Sequence, residues 1–223
     1  MTHSSHPVVR ENQRSEPSGD CALCGRLVAF REQSRMRQPH WHNSPVPSFG
    51  EVDGALLIVG LAPGLGGANR TGRPFTGDYA GELLYETLLT YGFACGIFAG
   101  RPDDGLELVN CRVTNAVRCV PPENKPTPEE IRTCRSFLAS TIDEMPKLKA
   151  ILALGKIAHD TTMRTLGGRL SDHPFGHGGR RRLGKVALFS SYHCSRYNTN
   201  TGVLTKVMFE KVFEDIRLFL EST

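Results

Sequence analysis

The stretch G-L-A-P-G-L-G-G-A-N-R-T-G-R-P-F-T-G-D, from Gly60 to Asp78, decides the fold of this chain. An apolar run at 55–59 precedes it and predicts a buried strand, and the segment from Tyr79 to Tyr91 predicts a helix. A strand that leads through a glycine-rich loop into a helix places backbone N–H groups around a concavity at the carboxyl edge of a sheet. The stretch therefore predicts a ligand-binding loop.

The loop lacks the two common phosphate-binding fingerprints. Gly67 is followed by Ala-Asn instead of the Lys and Ser or Thr of a Walker loop, and the pattern G-x-G-x-x-G is absent. Its distinctive side chains are Phe75, which as an exposed ring would suit stacking on a planar ligand, and Asp78. Two readings stay open: a ligand site, or a core phenylalanine followed by the N-cap of a helix.

Length and composition bound the class of protein. With 223 residues, 39% of them hydrophobic, the chain is long enough for one globular domain, and its net charge of +4 permits an anionic partner. The polar residues 1–19 predict a disordered tail, and 20–223 the domain. The sequence has neither a long apolar run nor a signal peptide, so we expect a cytoplasmic protein without membrane contact.

Apolar runs and helix signals alternate along the rest of the chain. Further strands are predicted around Val113, at 149–154 and at 186–190. A helix follows each of them, and the last helix is predicted to begin near Thr201 or Gly202. Four strands that alternate with helices predict a parallel sheet covered on both faces.

Four of the seven cysteines are spaced like metal ligands. Cys21 and Cys24 form a C-x2-C pair, and Cys119 and Cys134 lie far along the chain. In an intracellular protein, this many cysteines indicate metal binding or catalysis rather than disulfides. Four thiolates can hold a zinc ion or a [4Fe–4S] cluster, and spacing alone neither chooses between them nor excludes four unrelated thiols.

Three stretches carry a resemblance to a known family. They are the loop from Gly60 to Asp78, T-N-A-V-R-C-V-P-P-E-N-K-P-T-P-E-E from Thr114 to Glu130, and S-Y-H-C-S-R-Y-N-T-N-T-G from Ser191 to Gly202. Together they resemble the motifs of the family 5 (type B) uracil-DNA glycosylases, over the chain from about Cys21 to its end. The resemblance implies a three-layer α/β/α fold with a central four-stranded parallel sheet, and hydrolysis of the bond between uracil and deoxyribose in DNA.

The resemblance also implies a cofactor and a range of substrates. Cys21, Cys24, Cys119 and Cys134 match the positions at which related enzymes carry a structural [4Fe–4S] cluster. Family 5 enzymes also remove hypoxanthine and other deaminated bases, by water attack without a lyase step. We therefore expect a monomeric, monofunctional glycosylase that acts on uracil- or hypoxanthine-containing DNA and initiates base excision repair.

The base-binding site implied by the resemblance combines the loop with a strand end. A glycosylase must flip the nucleotide out of the duplex, and Phe75 would stack on the base beside Gly60 and Ala62. The amide of Asn115 can accept a hydrogen bond from uracil N3–H and donate one to O4. An asparagine that caps a strand end or turn is the alternative reading.

The catalytic residues must stabilise a positive sugar and a negative base. Leu61 and Ala62 occupy the region where many relatives carry a polar residue that positions water, which leaves Asp78 to stabilise the cation or orient water. His193 would donate to O2 of uracil as a neutral imidazole; a purely structural histidine is the alternative. Relatives usually have proline after this histidine, and Cys194 in its place leaves the backbone less restrained.

Contacts with DNA are expected from the loops around the site. The residues concerned are Arg70, Arg180, Arg181, Ser195, Arg196, Tyr197 and Asn198. Arg196 and Tyr197 would lie nearest the gap left by the flipped base, and the arginines at 180–182 would hold phosphates or form a solvated basic hairpin. Two rival functions stay open: a protein of the same fold that binds uracil DNA tightly or covalently, and a non-catalytic, metal-stabilised nucleic-acid-binding module.

Overall fold

The computed structural model describes residues 16–222. The helices are α1 (Gly25–Arg37), α2 (Ala68–Thr71), α3 (Tyr79–Thr90), α4 (Pro128–Asp143), α5 (Lys156–Thr165), α6 (Arg196–Asn200) and α7 (Lys206–Glu221). The strands are β1 (Leu56–Gly60), β2 (Ala94–Cys95), β3 (Glu107–Leu108), β4 (Cys111–Asn115), β5 (Ala150–Leu154), β6 (Arg180–Leu183) and β7 (Val186–Ser191). A short 3-10 helix, Pro122–Asn124, follows β4. Over the described range, no helix is both long and apolar enough to cross a membrane.

The central sheet has the strand order β4-β1-β5-β7-β6. Its first four strands are parallel, which confirms the predicted sheet, so their carboxyl ends meet at one edge. The structure adds a fifth strand, β6, which runs antiparallel to β7 where the sequence indicates a glycine- and arginine-rich loop. The arginines at 180–182 lack the alternating pattern of a half-buried strand, but charged residues are typical of an exposed sheet edge.

Helices cover both faces of this sheet and give the predicted three layers. Leu56 and Ile58 of β1 pack in one apolar cluster with residues of α3 and α7. Leu57 and Val59 point to the opposite face, because side chains alternate along a strand, and they pack with residues of α4 and α5. Burial on both faces also explains why β1 and β5 are continuous apolar runs.

The last helix begins later than the sequence predicts. The prediction of a helix from Thr201 or Gly202 is wrong because Gly202, with φ of 73°, lies in a turn after α6. The N-cap of α7 is Thr205, whose hydroxyl accepts a hydrogen bond of 3.2 Å from the N–H of Met208. The buried face of α7 consists of Phe209, Val212, Phe213, Ile216 and Phe219.

Most of the predicted N-terminal tail, residues 1–15, lies outside the described residues. Glu16 belongs to the last part of that segment and accepts a hydrogen bond of 2.6 Å from the guanidinium of Arg118. It also accepts one of 3.1 Å from the backbone N–H of Ser48. Because the Arg118 side chain is 1% exposed, this ion pair holds Glu16 against the domain.

A buried ion pair anchors the glycine-rich loop. Arg73 donates two hydrogen bonds of 2.8 Å to the carboxylate of Asp104 and one of 2.8 Å to the hydroxyl of Thr76. Its guanidinium lies 5.6 Å from the ring centroid of Tyr85, and its hydrogen bonds lower the pKa of Asp104. These contacts fix the backbone on either side of Phe75.

Replacing Asp104 by Asn should lower the free energy of unfolding by about 3 kcal/mol, because it leaves a buried guanidinium without its counter-charge. Asp103→Asn is the matched control. The Asp103 side chain is 79% exposed and pairs with Arg101 at the surface, so its loss should change stability by less than about 0.5 kcal/mol. Urea denaturation followed by circular dichroism measures both values. Equal effects would contradict the anchoring role of the buried pair.

Candidate active site

A cavity of about 750 Å³ opens at the carboxyl edge of the sheet. Its walls come from the glycine-rich loop after β1, the end of β4 and the segment after β7. Phe75, Asn115, Asp78 and His193 all line this cavity, and so does Ala62. Residues that are far apart in the sequence, and that were predicted to bind a base and act on it, therefore share one site.

The ring of Phe75 forms an inner wall. It is 6% exposed and packs in the main apolar cluster, so the expectation of an exposed ring is wrong. Its centroid lies 5.9 Å from that of His193, with 26° between the ring planes. A planar ligand sandwiched between two rings needs about 7 Å, twice the usual contact distance of about 3.5 Å. A ligand would therefore contact these rings from the open side of the cavity.

Gly60 and Asn115 are partners in the parallel pairing of β1 with β4. A β-carbon at Gly60 would collide with Oδ1 of Asn115 and with the Phe75 ring. Asn115 is 3% exposed, and no hydrogen bond joins its amide to another residue of the range 16–222. The amide is thus available to a ligand in the cavity, and Gly60 provides the space in which it packs.

Asp78 combines a structural contact with a place in the cavity wall. It is the N-cap of α3, which was one of the two alternatives that the sequence left open for it. Its carboxylate accepts a hydrogen bond of 3.3 Å from the N–H of Gly81. It also lines the cavity. Burial raises the pKa of Asp78, while hydrogen bonds from the N–H groups of Gly81 and Ala80 oppose that shift. A β-carbon at Gly67 would collide with the carboxylate, so the loop packs tightly against it.

His193 lies just after β7 and is held by its neighbours. Burial lowers the pKa of His193 to about 4, so the imidazole is neutral at physiological pH. The backbone carbonyl of His193 accepts a hydrogen bond of 2.8 Å from the Asn198 side chain. Cys194 is fully buried, and its thiol lies 3.4 Å from the carbonyl of Ala80, which accepts from it. This contact joins the segment to α3 in the absence of the expected proline.

Of the residues predicted to contact DNA, two line the cavity and two more are exposed at the surface. Ser195 and Arg196 line it, and the guanidinium of Arg196 lies 5.3 Å from the ring centroid of Tyr79. Tyr197 is 74% exposed. Arg70 is also exposed, and it donates a hydrogen bond of 3.4 Å to a carbonyl of its own loop.

Arg180 and Arg181 lie apart from these residues. Both belong to the edge strand β6, and neither lines the cavity. The guanidinium of Arg180 lies 4.5 Å from the ring centroid of Phe219 and so packs against α7. Arg181 is exposed. This placement favours the reading of 180–182 as a basic hairpin.

Asn124 is a residue of the cavity wall that the sequence predictions omit. It belongs to the 3-10 helix after β4, where Glu123 and Asn124 have left-handed backbone conformations with φ of 54° and 56°. Such strain in residues other than glycine is often found at functional sites. The sequence signal was only a polar residue after Pro121-Pro122, which does not show where the side chain lies.

The four cysteines predicted as ligands line a second, small cavity. They are Cys21, Cys24, Cys119 and Cys134. The backbone N–H of Arg118 lies 3.3 Å from the sulfur of Cys134, and the guanidinium of Arg31 lies 3.8 Å from that of Cys119. Among residues 16–222, no group of three Cys, His, Asp or Glu side chains is arranged to hold a single metal ion. The thiols therefore share a cavity without converging on one point.

A family model described as the uracil DNA glycosylase superfamily matches residues 47–217 of the chain. The matched region contains the whole central sheet and all the segments that form the walls of the first cavity. The fold and the match together define a DNA glycosylase.

Individual relatives narrow this class. The type-5 uracil-DNA glycosylase of Thermus thermophilus is 45% identical over 204 residues, which cover 88% of this chain and 92% of the relative. That of Pyrobaculum aerophilum is 37% identical over 190 residues, 83% of either chain. That of Mycobacterium tuberculosis is 40% identical over 207 residues, 88% of this chain and 77% of the relative. The chain therefore belongs to the uracil-DNA glycosylase superfamily, and within it to the type-5 enzymes.

Replacing Gly67 by Ala should lower the rate of uracil excision by at least about tenfold, because the new methyl group would displace the Asp78 carboxylate and small misplacements are costly. Gly66→Ala is the matched control, since a β-carbon at Gly66 meets no atom within 4 Å. Single-turnover excision and thermal melting should be measured for both variants. A similar rate for the two would contradict the tight packing of the loop on Asp78.

Proposed function

We propose that this protein is a monofunctional glycosylase that hydrolyses the N-glycosidic bond of uracil in DNA and so initiates base excision repair. The convergence of Phe75, Asn115, Asp78 and His193 on one cavity carries the proposal. It is supported by the relatives named type-5 uracil-DNA glycosylase. We further propose that it acts on DNA in the cytoplasm as a monomer.

The base would reach the cavity by flipping out of the duplex. Asn115 would then accept from N3–H of uracil and donate to O4, since its amide offers an acceptor and donors side by side. The Phe75 ring would contact one face or edge of the base, because its distance from the His193 ring leaves no room for a base between them. Arg196 and Tyr197 would contact the DNA at the mouth.

Asp78 would act on the sugar. Cleavage of the glycosidic bond leaves positive charge on the deoxyribose, and a buried carboxylate stabilises that charge more strongly than a solvated one. The N–H groups at the start of α3 fix the position of the carboxylate before the reaction begins. The same carboxylate would orient the attacking water.

His193 would act on the departing base. Negative charge develops on O2 of uracil as the bond breaks, and a donor fixed in position before the reaction stabilises it. Because its pKa is lowered to about 4, the imidazole would serve as a neutral donor. The hydrogen bond from Asn198 and the burial of Cys194 would keep it in place.

We propose that the cavity also accepts hypoxanthine and other deaminated bases. Its volume of about 750 Å³ exceeds what a pyrimidine occupies, and Leu61 and Ala62 contribute no polar side chain to its wall. A wall without a hydrogen-bonding side chain at this point selects less strictly among bases, because discrimination by apolar contact alone is weak.

We propose that Cys21, Cys24, Cys119 and Cys134 hold a [4Fe–4S] cluster. All four line one small cavity, and four cysteine thiolates are the ligand set that such a cluster requires. The cluster would join the segment before α1 to the chain after β4 and to α4. Its role would be structural.

Excision from a duplex with one uracil or one hypoxanthine tests the proposal, with alkali used to cleave the abasic product. Asp78→Ala and His193→Ala should each slow single-turnover excision by about a hundredfold or more, because each removes a preorganised group that faces developing charge. Glu86→Ala is the control, since this exposed acid of α3 forms a surface ion pair with Lys206 and does not line the cavity. A loss within about threefold would contradict the role of either residue, and a bare mobility shift or a heat-stable adduct would favour the rival functions.

The excision rate should fall on the acid side as Asp78 becomes protonated. Because burial raises its pKa, this fall should occur at a higher pH than the ordinary aspartate value of about 3.9. His193 stays neutral down to about pH 4, so no step is expected at the ordinary imidazole value of about 6.5. Single-turnover rates from about pH 3.5 to 8, which spans the ordinary aspartate and imidazole values, give the profile. A step near 6.5 that His193→Asn abolishes would contradict the neutral donor.

A further inference from the structure

Arg31 is a buried cation beside the cavity that the four cysteines line. It lies on α1 and is 2% exposed. One guanidinium nitrogen lies 3.8 Å from the sulfur of Cys119, and another donates a hydrogen bond of 3.1 Å to the backbone carbonyl of Cys21. The third nitrogen, Nε, is buried and has no hydrogen-bond partner within the described part of the chain.

Arg31 differs in one respect from the other buried arginines of residues 16–222. Arg73 pairs with Asp104, and Arg112 and Arg118 both pair with Glu16. No carboxylate of the described range lies within 4.0 Å of Arg31. A buried guanidinium without a counter-charge costs several kcal/mol, so a negative group beside Arg31 would lower that cost.

Metal ligation of the cysteines would supply that negative group. Four thiolates carry four negative charges, and a [4Fe–4S] core with two positive charges leaves a net charge of about −2. Thiolate sulfurs of such a centre accept hydrogen bonds, and these contacts tune its stability and potential. Arg31 is placed to donate to one of them.

We propose that Arg31 is the resident counter-charge of the metal centre, and that it sets both the retention of the centre and its reduction potential. This inference rests on the proposed [4Fe–4S] cluster. Arg31 also joins the two halves of the ligand set, because it contacts Cys21 before α1 and Cys119 after β4. Its charge favours the reduced cluster over the oxidised one, because reduction adds negative charge.

The test compares four forms of the full-length protein, each purified without oxygen: wild type, Arg31→Gln, Arg31→Lys and Arg35→Met. Arg31→Gln removes the charge and keeps a donor, whereas Arg31→Lys keeps the charge. Arg35 lies one turn further along α1, is 33% exposed and pairs with Asp20 and Glu32, so it is the matched control. The measurements are iron and sulfide content, reduction potential, and the rate of iron loss to a chelator.

Wild type should contain about four iron and four sulfide per chain. Arg31→Gln should lose iron about tenfold faster, in line with other residues that contact metal ligands, and its potential should become more negative. Arg31→Lys should recover the potential, and Arg35→Met should match wild type. If Arg31→Gln fails to fold, Arg31→Lys provides the test. Because this variant keeps the positive charge, a reduction potential clearly different from that of wild type would overturn the inference.

Different results would overturn the proposed cluster and the proposed role of Arg31. Wild type without iron and sulfide would overturn the cluster itself, and with it the role of Arg31. A wild type with a full cluster, together with an Arg31→Gln protein of unchanged potential and retention, would overturn the role of Arg31 alone. Uracil excision by wild type is measured separately and tests the glycosylase proposal.

Discussion

The parallel pairing of β1 with β4 is the constraint on which the first cavity depends. It sets Gly60 beside Asn115, and the missing side chain at Gly60 lets the amide and the Phe75 ring pack together at the strand ends. The chain then continues from Asn115 to Cys119 within one short segment. The cavity of the proposed base site and the cavity of the cysteines are therefore built on the same strand end, and a shift of β4 would disturb both.

Two ion pairs with a buried arginine hold irregular segments of this molecule in place. Arg73 and Asp104 fix the glycine-rich loop, and Glu16 with Arg118 fixes the chain before α1. These segments lack the backbone pairing of the sheet, so directed side-chain hydrogen bonds define their conformation instead. The precise positions of Phe75 and of the cysteines thus depend on ion pairs at some distance from the chemistry proposed for them.

Sequence patterns could predict the features that depend on residues close together in the chain. Apolar runs gave the four parallel strands, and strand ends followed by polar residues located Asn115 and His193 at one edge. The strand β6 escaped because its arginines lack a strand pattern. The short helix α6 and the start of α7 at Lys206 escaped because threonine is a common N-cap and the sequence has one at Thr201 as well as at Thr205. Neither the burial of Phe75 nor the wall position of Asn124 could be predicted, since both depend on tertiary packing.

Asp78 is at once the cap of α3 and a desolvated acid at the cavity wall. Asparagine caps helices as well as aspartate does and carries no charge to bury. Selection for heat resistance alone would therefore tend to replace this acid, and on the catalytic role proposed for Asp78 the thermostabilised variants would lose activity. An engineering programme should leave position 78 fixed and look for stability in the ion pairs that hold the loops.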